Sequence, residues 1–225
     1  MTYKLYIGDR TFSSWSLRGW LMLEKFNLPF NEVEVGLYGG TMAQDMASIA
    51  PARLVPALVT PEGDIVGESL AMAETLAERH PDIAMWPAES SARLRARWLC
   101  AEMVGGFGAI RSDCSMQLAH VDADFAPSEA VKVDLARIET LWAFAREKAQ
   151  DGPWLFGAYS LADAFYAPVC ARIVGYNLPV SDAARTYCET TLSDPAFQQW
   201  RAEGLKQTYD PFPYPPVGRT TPWPY

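Results

Sequence analysis

Hydrophobic and polar positions change period several times within the first eighty residues. Tyr3 to Ile7 reads as a short strand of β-favouring residues, and Ser16 to Phe26 carries Leu17, Trp20, Leu21 and Leu23 at helical spacing. Phe30 to Val35 returns to a period of two, with Val33 and Val35 on one face. A loop with Gly36, Gly39 and Gly40 leads into a short helix near 41–49. Ala57 to Thr60 and Asp64 to Val66 flank Pro61-Glu62-Gly63, which predicts a hairpin, and Leu70, Ala73, Leu76 and Ala77 stripe a helix over 69–80. That order, β-α-β-α-β-β-α, makes a small mixed sheet packed by helices.

Pro81, Pro87, Ser90 and Ser91 mark a linker, and the pattern beyond it is helical. In 128–150, Val131, Leu135, Ile138, Trp142 and Ala145 recur at spacings of three and four, a core-facing stripe. Helices are also predicted across 91–120, 160–173, 181–191 and 194–204. The chain divides into an α/β domain over 1–80, a linker over 81–91, an all-α domain over 92–205 and a tail over 206–225. In the tail, Pro211, Pro213, Pro215, Pro216, Pro222 and Pro224 interleave with Tyr209, Phe212, Tyr214, Trp223 and Tyr225. So many rings favour a tail docked on the body or on a second copy over one free in water.

With 225 residues, 49% of them hydrophobic, the chain can bury a large core. A net charge of −8 argues against nucleic acid or an anionic membrane surface as partner, so any anion site must come from local arginines or helix ends. No apolar run approaches the roughly 20 residues that span a bilayer. The first residues are too few and too polar for a signal peptide, and a cytoplasmic protein is expected. Cys100, Cys114, Cys170 and Cys188 are widely spaced, and His80 and His120 are the only histidines. Neither a disulfide scaffold nor a metal site is indicated.

Leu54-Val55-Pro56-Ala57-Leu58 carries the first chemical signal. Proline cannot donate to a sheet ladder, so Pro56 leading into a strand points to a cis Val55-Pro56 bond with the peptide groups of Val55 turned outward. Glu68-Ser69 then supplies a carboxylate and a helix N-terminus, which suits a ligand bearing both an ammonium and a carboxylate, such as a small peptide. In Ser13-Ser14-Trp15-Ser16 the last serine reads as the helix cap, leaving Ser13 or Ser14 to face the ligand. Ser160 and Asp163 read differently, as a capping box that serves folding alone.

These pieces resemble the cytosolic glutathione S-transferase superfamily over essentially residues 1–205. The resemblance rests on Ser13-Ser14-Trp15-Ser16-Leu17-Arg18 after the first strand, Val55-Pro56, Glu68-Ser69 and Ser160-Leu161-Ala162-Asp163, and is nearest the serine-type, zeta-like group. It implies a thioredoxin-like N-terminal domain, an all-α C-terminal domain, a homodimer, and glutathione as co-substrate without a metal. In that family a serine hydroxyl donates to the glutathione sulfur, and lowering a thiol from about 8.5 by about two units makes it mostly thiolate. Ser13 stands five residues before Arg18 and Ser14 four, so both are eligible.

The resemblance further implies that the peptide lies along Val55 and Pro56, its γ-glutamyl carboxylate at Ser69 and its ammonium at Glu68. The glycyl carboxylate falls to Arg53, because Leu54 stands where relatives carry a basic or amide residue. A second, hydrophobic substrate would sit between the domains, near 103–116, with Phe12, Trp15, Phe107, Arg111 and Tyr166 as candidates. Gly105-Gly106-Phe107-Gly108 interrupts the helical pattern there, either to open room for that ligand or for packing. The implied activity is transfer of glutathione to a hydrophobic electrophile, with detoxification as its setting. The alternatives are a zeta-like cis-trans isomerase and a non-catalytic glutathione-binding or dimerisation module. A thiol-disulfide oxidoreductase is disfavoured, since no cysteine follows the first strand.

Overall fold

The computed structural model describes residues 2–37, 39–206 and 218–225. Four strands, β1 (Tyr3–Ile7), β2 (Phe30–Glu34), β3 (Ala57–Val59) and β4 (Ile65–Val66), form one sheet in the order β2-β1-β3-β4. β1 runs parallel to β2 and antiparallel to β3, and β3 pairs antiparallel with β4 across the predicted hairpin. Alternation along β1 sorts the two faces. Leu5 and Ile7 join the main core with α1 (Ser14–Glu24) and α3 (Ser69–Arg79), while Tyr6 joins Val35, Met46, Ile49 and Ala57 in a smaller core. The segment that carries Met46 and Ile49 is α2 (Met42–Asp45) followed by a 3-10 turn. This is the thioredoxin-like arrangement expected.

The helical domain holds α4 (Ser90–Gly105), α5 (Gly108–Asp113), α6 (Glu129–Arg146), α7 (Leu161–Gly175), α8 (Asp182–Leu192) and α9 (Pro195–Gly204). Every residue of α7 is buried. The α6 stripe read from sequence is buried at all five positions, each burial stabilising by roughly 1.5–3 kcal/mol for the larger side chains. The Ser160 box also forms, with Asp163 accepting from the Ser160 amide at 2.8 Å.

The helical stretch over 91–120 is interrupted at Gly105-Gly106-Phe107-Gly108, as the sequence indicated, and ends at Asp113. Gly106 is extended and its N–H reaches Glu102 O at 2.8 Å, while Phe107 takes φ +63° and starts α5. Phe107 is buried in the main core, so the interruption serves packing. A further strand, β5 (His120–Asp122), begins at the last residue of the predicted helical stretch and was not foreseen. Its partner is β6 (Thr220–Pro222), paired antiparallel with His120 opposite Pro222. The end of the tail is therefore docked, with Trp223 buried and the Arg201 guanidinium 5.3 Å from its ring centre. Tyr209, Pro211, Phe212, Pro213, Tyr214, Pro215 and Pro216 lie outside the described residues.

The helical domain also fixes the loop that leaves β1. Trp200 Nε1 donates to Arg10 O at 2.7 Å, and the Thr11 hydroxyl donates to Gly204 O at 3.1 Å. Asp9 accepts from the amides of Thr11 and Phe12 at 2.8 and 3.0 Å. The loop thus arrives at α1 already ordered, although it is not part of the sheet. Among the described residues no helix is long and apolar enough to cross a membrane.

Candidate functional site

A cavity of about 600 Å³ opens between the edge of the sheet and the helical domain. One wall is the segment Phe12 to Trp15, a second is Leu54 to Pro56, and a third is Gly67 to Ser69. The helical domain closes the opposite side with Val104, Arg111, Ser115, Met116 and Arg172. Nine of the residues singled out by sequence, Phe12, Ser13, Ser14, Trp15, Val55, Pro56, Glu68, Ser69 and Arg111, meet here.

The Val55-Pro56 bond is cis. Among the described residues, Val55 makes no backbone hydrogen bond, which leaves its peptide groups free for a peptide ligand. Pro56 sits directly against α1, where a Cβ added to Gly19 would stand 2.7 Å from Pro56 Cβ. Glycine is required there for the close approach rather than for its conformational freedom.

At the head of α3, Glu68 holds the cap position in extended conformation (φ −123°, ψ 135°) without a side-chain cap bond. The Ser69 side chain is buried, and its Oγ has no hydrogen-bond partner among the described residues. A buried hydroxyl left unpaired costs about 1–3 kcal/mol, and the first amides of a helix carry partial positive charge. Together they make a place where an anionic acceptor is stabilising and the free protein holds an unmet demand.

The serines of α1 correct the sequence reading. The cap is Ser13, not Ser16: Ser13 Oγ accepts the Ser16 amide at 3.2 Å and donates to Ser16 Oγ at 2.8 Å. Ser16 Oγ in turn accepts the Gly8 amide at 2.9 Å, tying the end of β1 to α1. Ser14 stands beside them on the cavity wall, and its Oγ accepts from Arg172 Nη2 at 3.3 Å.

Behind this wall lies an unusual concentration of positive charge. Arg18 is wholly buried, and none of its guanidinium nitrogens has a partner among the described residues. Its guanidinium lies 4.4 Å from the centre of the Trp15 ring, and that of Arg111 lies 5.1 Å from the same ring. Cation–π attraction offsets part of the desolvation. Burial, then the like charges of Arg111 and Arg172, push the Arg18 pKa well below its ordinary value. Arg111 itself donates to Gly106 O at 3.0 Å and to Met103 O, and burial lowers its pKa as well. This side of the cavity therefore favours an anion, despite the acidic balance of the whole chain.

Three sequence candidates fall outside the cavity. Phe107 is in the core, Tyr166 is fully buried with its hydroxyl donated to Leu99 O at 3.1 Å, and Arg53 is exposed and off the walls. Tyr166 lies on the innermost helix, where a hydroxyl needs a backbone partner rather than a ligand. Val104, Ser115 and Met116 come from the 103–116 stretch expected to line the second-substrate site, whereas Leu37, Met42 and Arg172 line the cavity and were not foreseen. Arg172 carried one legible signal, a charge within the apolar run of 160–173. The four cysteines are free and buried; burial pushes Cys100 and Cys170 well up and Cys114 to about 12. Those three are not suited to act as thiolates.

Residues 12–79 match the family model described as the glutathione S-transferase N-terminal domain. The chain is 28% identical over 201 residues to a probable maleylacetoacetate isomerase from Caenorhabditis elegans, covering 86% of this chain and 90% of that one. A maleylacetoacetate isomerase from Dictyostelium discoideum is 33% identical over 94 residues, covering 41% of this chain and 42% of its own. Among solved structures, a glutathione transferase homolog from Burkholderia with bound glutathione superposes with a TM-score of 0.67 at 24% identity, covering 92% of this chain and 100% of that chain. That last likeness shows the shared fold.

Proposed function

We propose that this chain belongs to the glutathione S-transferase superfamily and is an enzyme that binds glutathione and uses its thiolate against an electrophilic second substrate. The observation that carries the reading is Ser69, a buried hydroxyl with no partner at an open helix N-terminus, in one cavity with the free peptide groups of Val55 and the serines of α1. The γ-glutamyl carboxylate goes to Ser69 and the first amides of α3, the ammonium to Glu68, and the cysteinyl backbone to Val55. That order brings the sulfur toward Ser13 and Ser14. A serine proton and the nearby arginines stabilise the thiolate, which attacks an electrophilic carbon.

The arginines favour a second reading of the other substrate. A purely hydrophobic electrophile gains nothing from Arg111 and Arg172 in the wall, whereas one bearing a carboxylate does. This fits a zeta-like cis-trans isomerase. The thiolate adds to a conjugated cis double bond, the resulting single bond rotates, and the thiolate leaves again with the electron pair it brought. Glutathione is then regenerated, with no net oxidation or reduction.

A homodimer is part of the same proposal, supported by the exposed Leu94 and Trp98 of α4 and by Ile65 on the edge strand of the sheet. The test of function is retention on immobilised glutathione, followed by turnover of an aromatic halide and of a cis-unsaturated dicarboxylate. Retention with turnover of either substrate is expected, the dicarboxylate being preferred. Retention with neither turnover nor a lowered thiol pKa would instead mark a non-catalytic binding module.

A further inference from the structure

Ser13 and Ser14 stand on the same wall but use their hydroxyls differently. The Ser13 oxygen accepts one hydrogen bond and its proton is donated to Ser16, so both serve the cap of α1. The Ser14 oxygen accepts from Arg172 Nη2. A hydroxyl has a single proton, and an oxygen occupied by a cationic donor leaves that proton to point elsewhere. For Ser14, a buried residue of the wall, the cavity is the open direction.

Arg172 is itself fixed. It sits in the innermost helix α7, with Nε donating to Cys114 O at 2.9 Å and Nη1 donating to Pro168 O at 3.2 Å. The planar fork is thereby held on three oxygens, from α7, from the segment after α5 and from α1. Among the described residues, Arg111 from α5, Arg18 from α1 and Glu68 ahead of α3 also bring charge to the cavity region.

We infer that Arg172 is a positioning residue of the reaction: it fixes Ser14 so that the serine proton is presented to the glutathione sulfur. Ser14 is then the activating serine, and Ser13 is a helix cap. The inference rests on the glutathione reading above and deepens it. It makes the helical domain a participant in thiol activation, since Ser14 alone, without the guanidinium, is free to turn its proton to other acceptors. A charge-assisted contact also strengthens the serine as a donor.

The test is ultraviolet titration of the glutathione thiolate bound to wild type, Ser13→Ala, Ser14→Ala, Arg172→Met and Ser14→Ala/Arg172→Met. Loss of an adjacent cation or charged-group hydrogen bond shifts a pKa by about one unit or more. Such a rise is expected in Ser14→Ala and in Arg172→Met, with the double variant rising less than the sum of the two. Ser13→Ala is expected to lower the melting temperature and leave the thiol pKa in place. Arg172→Lys keeps the charge without the fork and should recover part of the shift. An unchanged thiol pKa in Arg172→Met that still binds glutathione overturns the inference. If Arg172→Met does not fold, the serine pair decides: a rise in Ser13→Ala with none in Ser14→Ala overturns it equally. Failure of wild type to bind glutathione is a separate outcome, which defeats the glutathione reading and this inference with it.

Discussion

Two helices of this protein begin with the same ingredients, a serine and an acid, yet only one of them is closed. At α7, Asp163 accepts from the amides of Ser160 and Leu155 at 2.8 and 3.1 Å, from the Ser160 hydroxyl at 3.1 Å and from the Tyr187 hydroxyl at 3.0 Å. All four of these donors are matched by the one carboxylate. At α3, Glu68 makes no cap bond and the buried Ser69 hydroxyl has no partner among the described residues. The residue types are nearly alike, and hydrogen-bond accounting alone separates a folding device from a place for a ligand.

The contrast is broken hardest at Asp163. Asp163→Ala leaves four donors unmatched in the core, and a loss of about 4 kcal/mol is expected, read from urea denaturation, with glutathione affinity unchanged wherever the variant folds. The same carboxyl gives a pH signature. Burial raises its pKa from 3.8 to about 6, against the hydrogen bonds that lower it. The folded state therefore holds this proton longer than the unfolded chain, and the stability so gained is full below about pH 4 and lost as pH rises through about 6. Its span is about 3 kcal/mol, and Asp163→Asn should flatten that part of the pH–stability curve.

Smaller effects sharpen the open side. Gly19→Ala forces a methyl against Pro56, and overpacking of about 1–3 kcal/mol is only partly offset by better helix propensity. Weaker glutathione binding is expected with it, because the displaced Pro56 carries Val55; calorimetry checks this. Glu68→Gln removes a single exposed charge from the ammonium contact and should weaken glutathione about threefold, within the 0.2–1 kcal/mol typical of such pairs, with no change in melting temperature.

What was legible in the sequence follows the same division. Periodicity located the strands and helices of the sheet domain and the α6 stripe because each repeats over enough residues to show a period. Ser160 and Asp163 were legible because their partners are local. The β5–β6 pairing was not, since it joins three-residue strands about a hundred residues apart in sequence. The cap of α1 was misplaced by three residues because Ser13 and Ser16 bond to one another, and spacing cannot say which one accepts the free amide. Tyr166 and Phe107 were misread for want of burial, and Arg172 was missed because its reach to Ser14 spans 158 positions.

The most direct measurement is calorimetric titration of glutathione into wild type and Ser69→Ala. Wild type should bind, and the variant should bind about tenfold more weakly, a loss of about 1.4 kcal/mol. Its melting temperature should stay the same or rise, since the deleted hydroxyl is unpaired in the free protein. No binding by wild type at millimolar glutathione, or equal affinity in Ser69→Ala, would contradict a glutathione site at the head of α3.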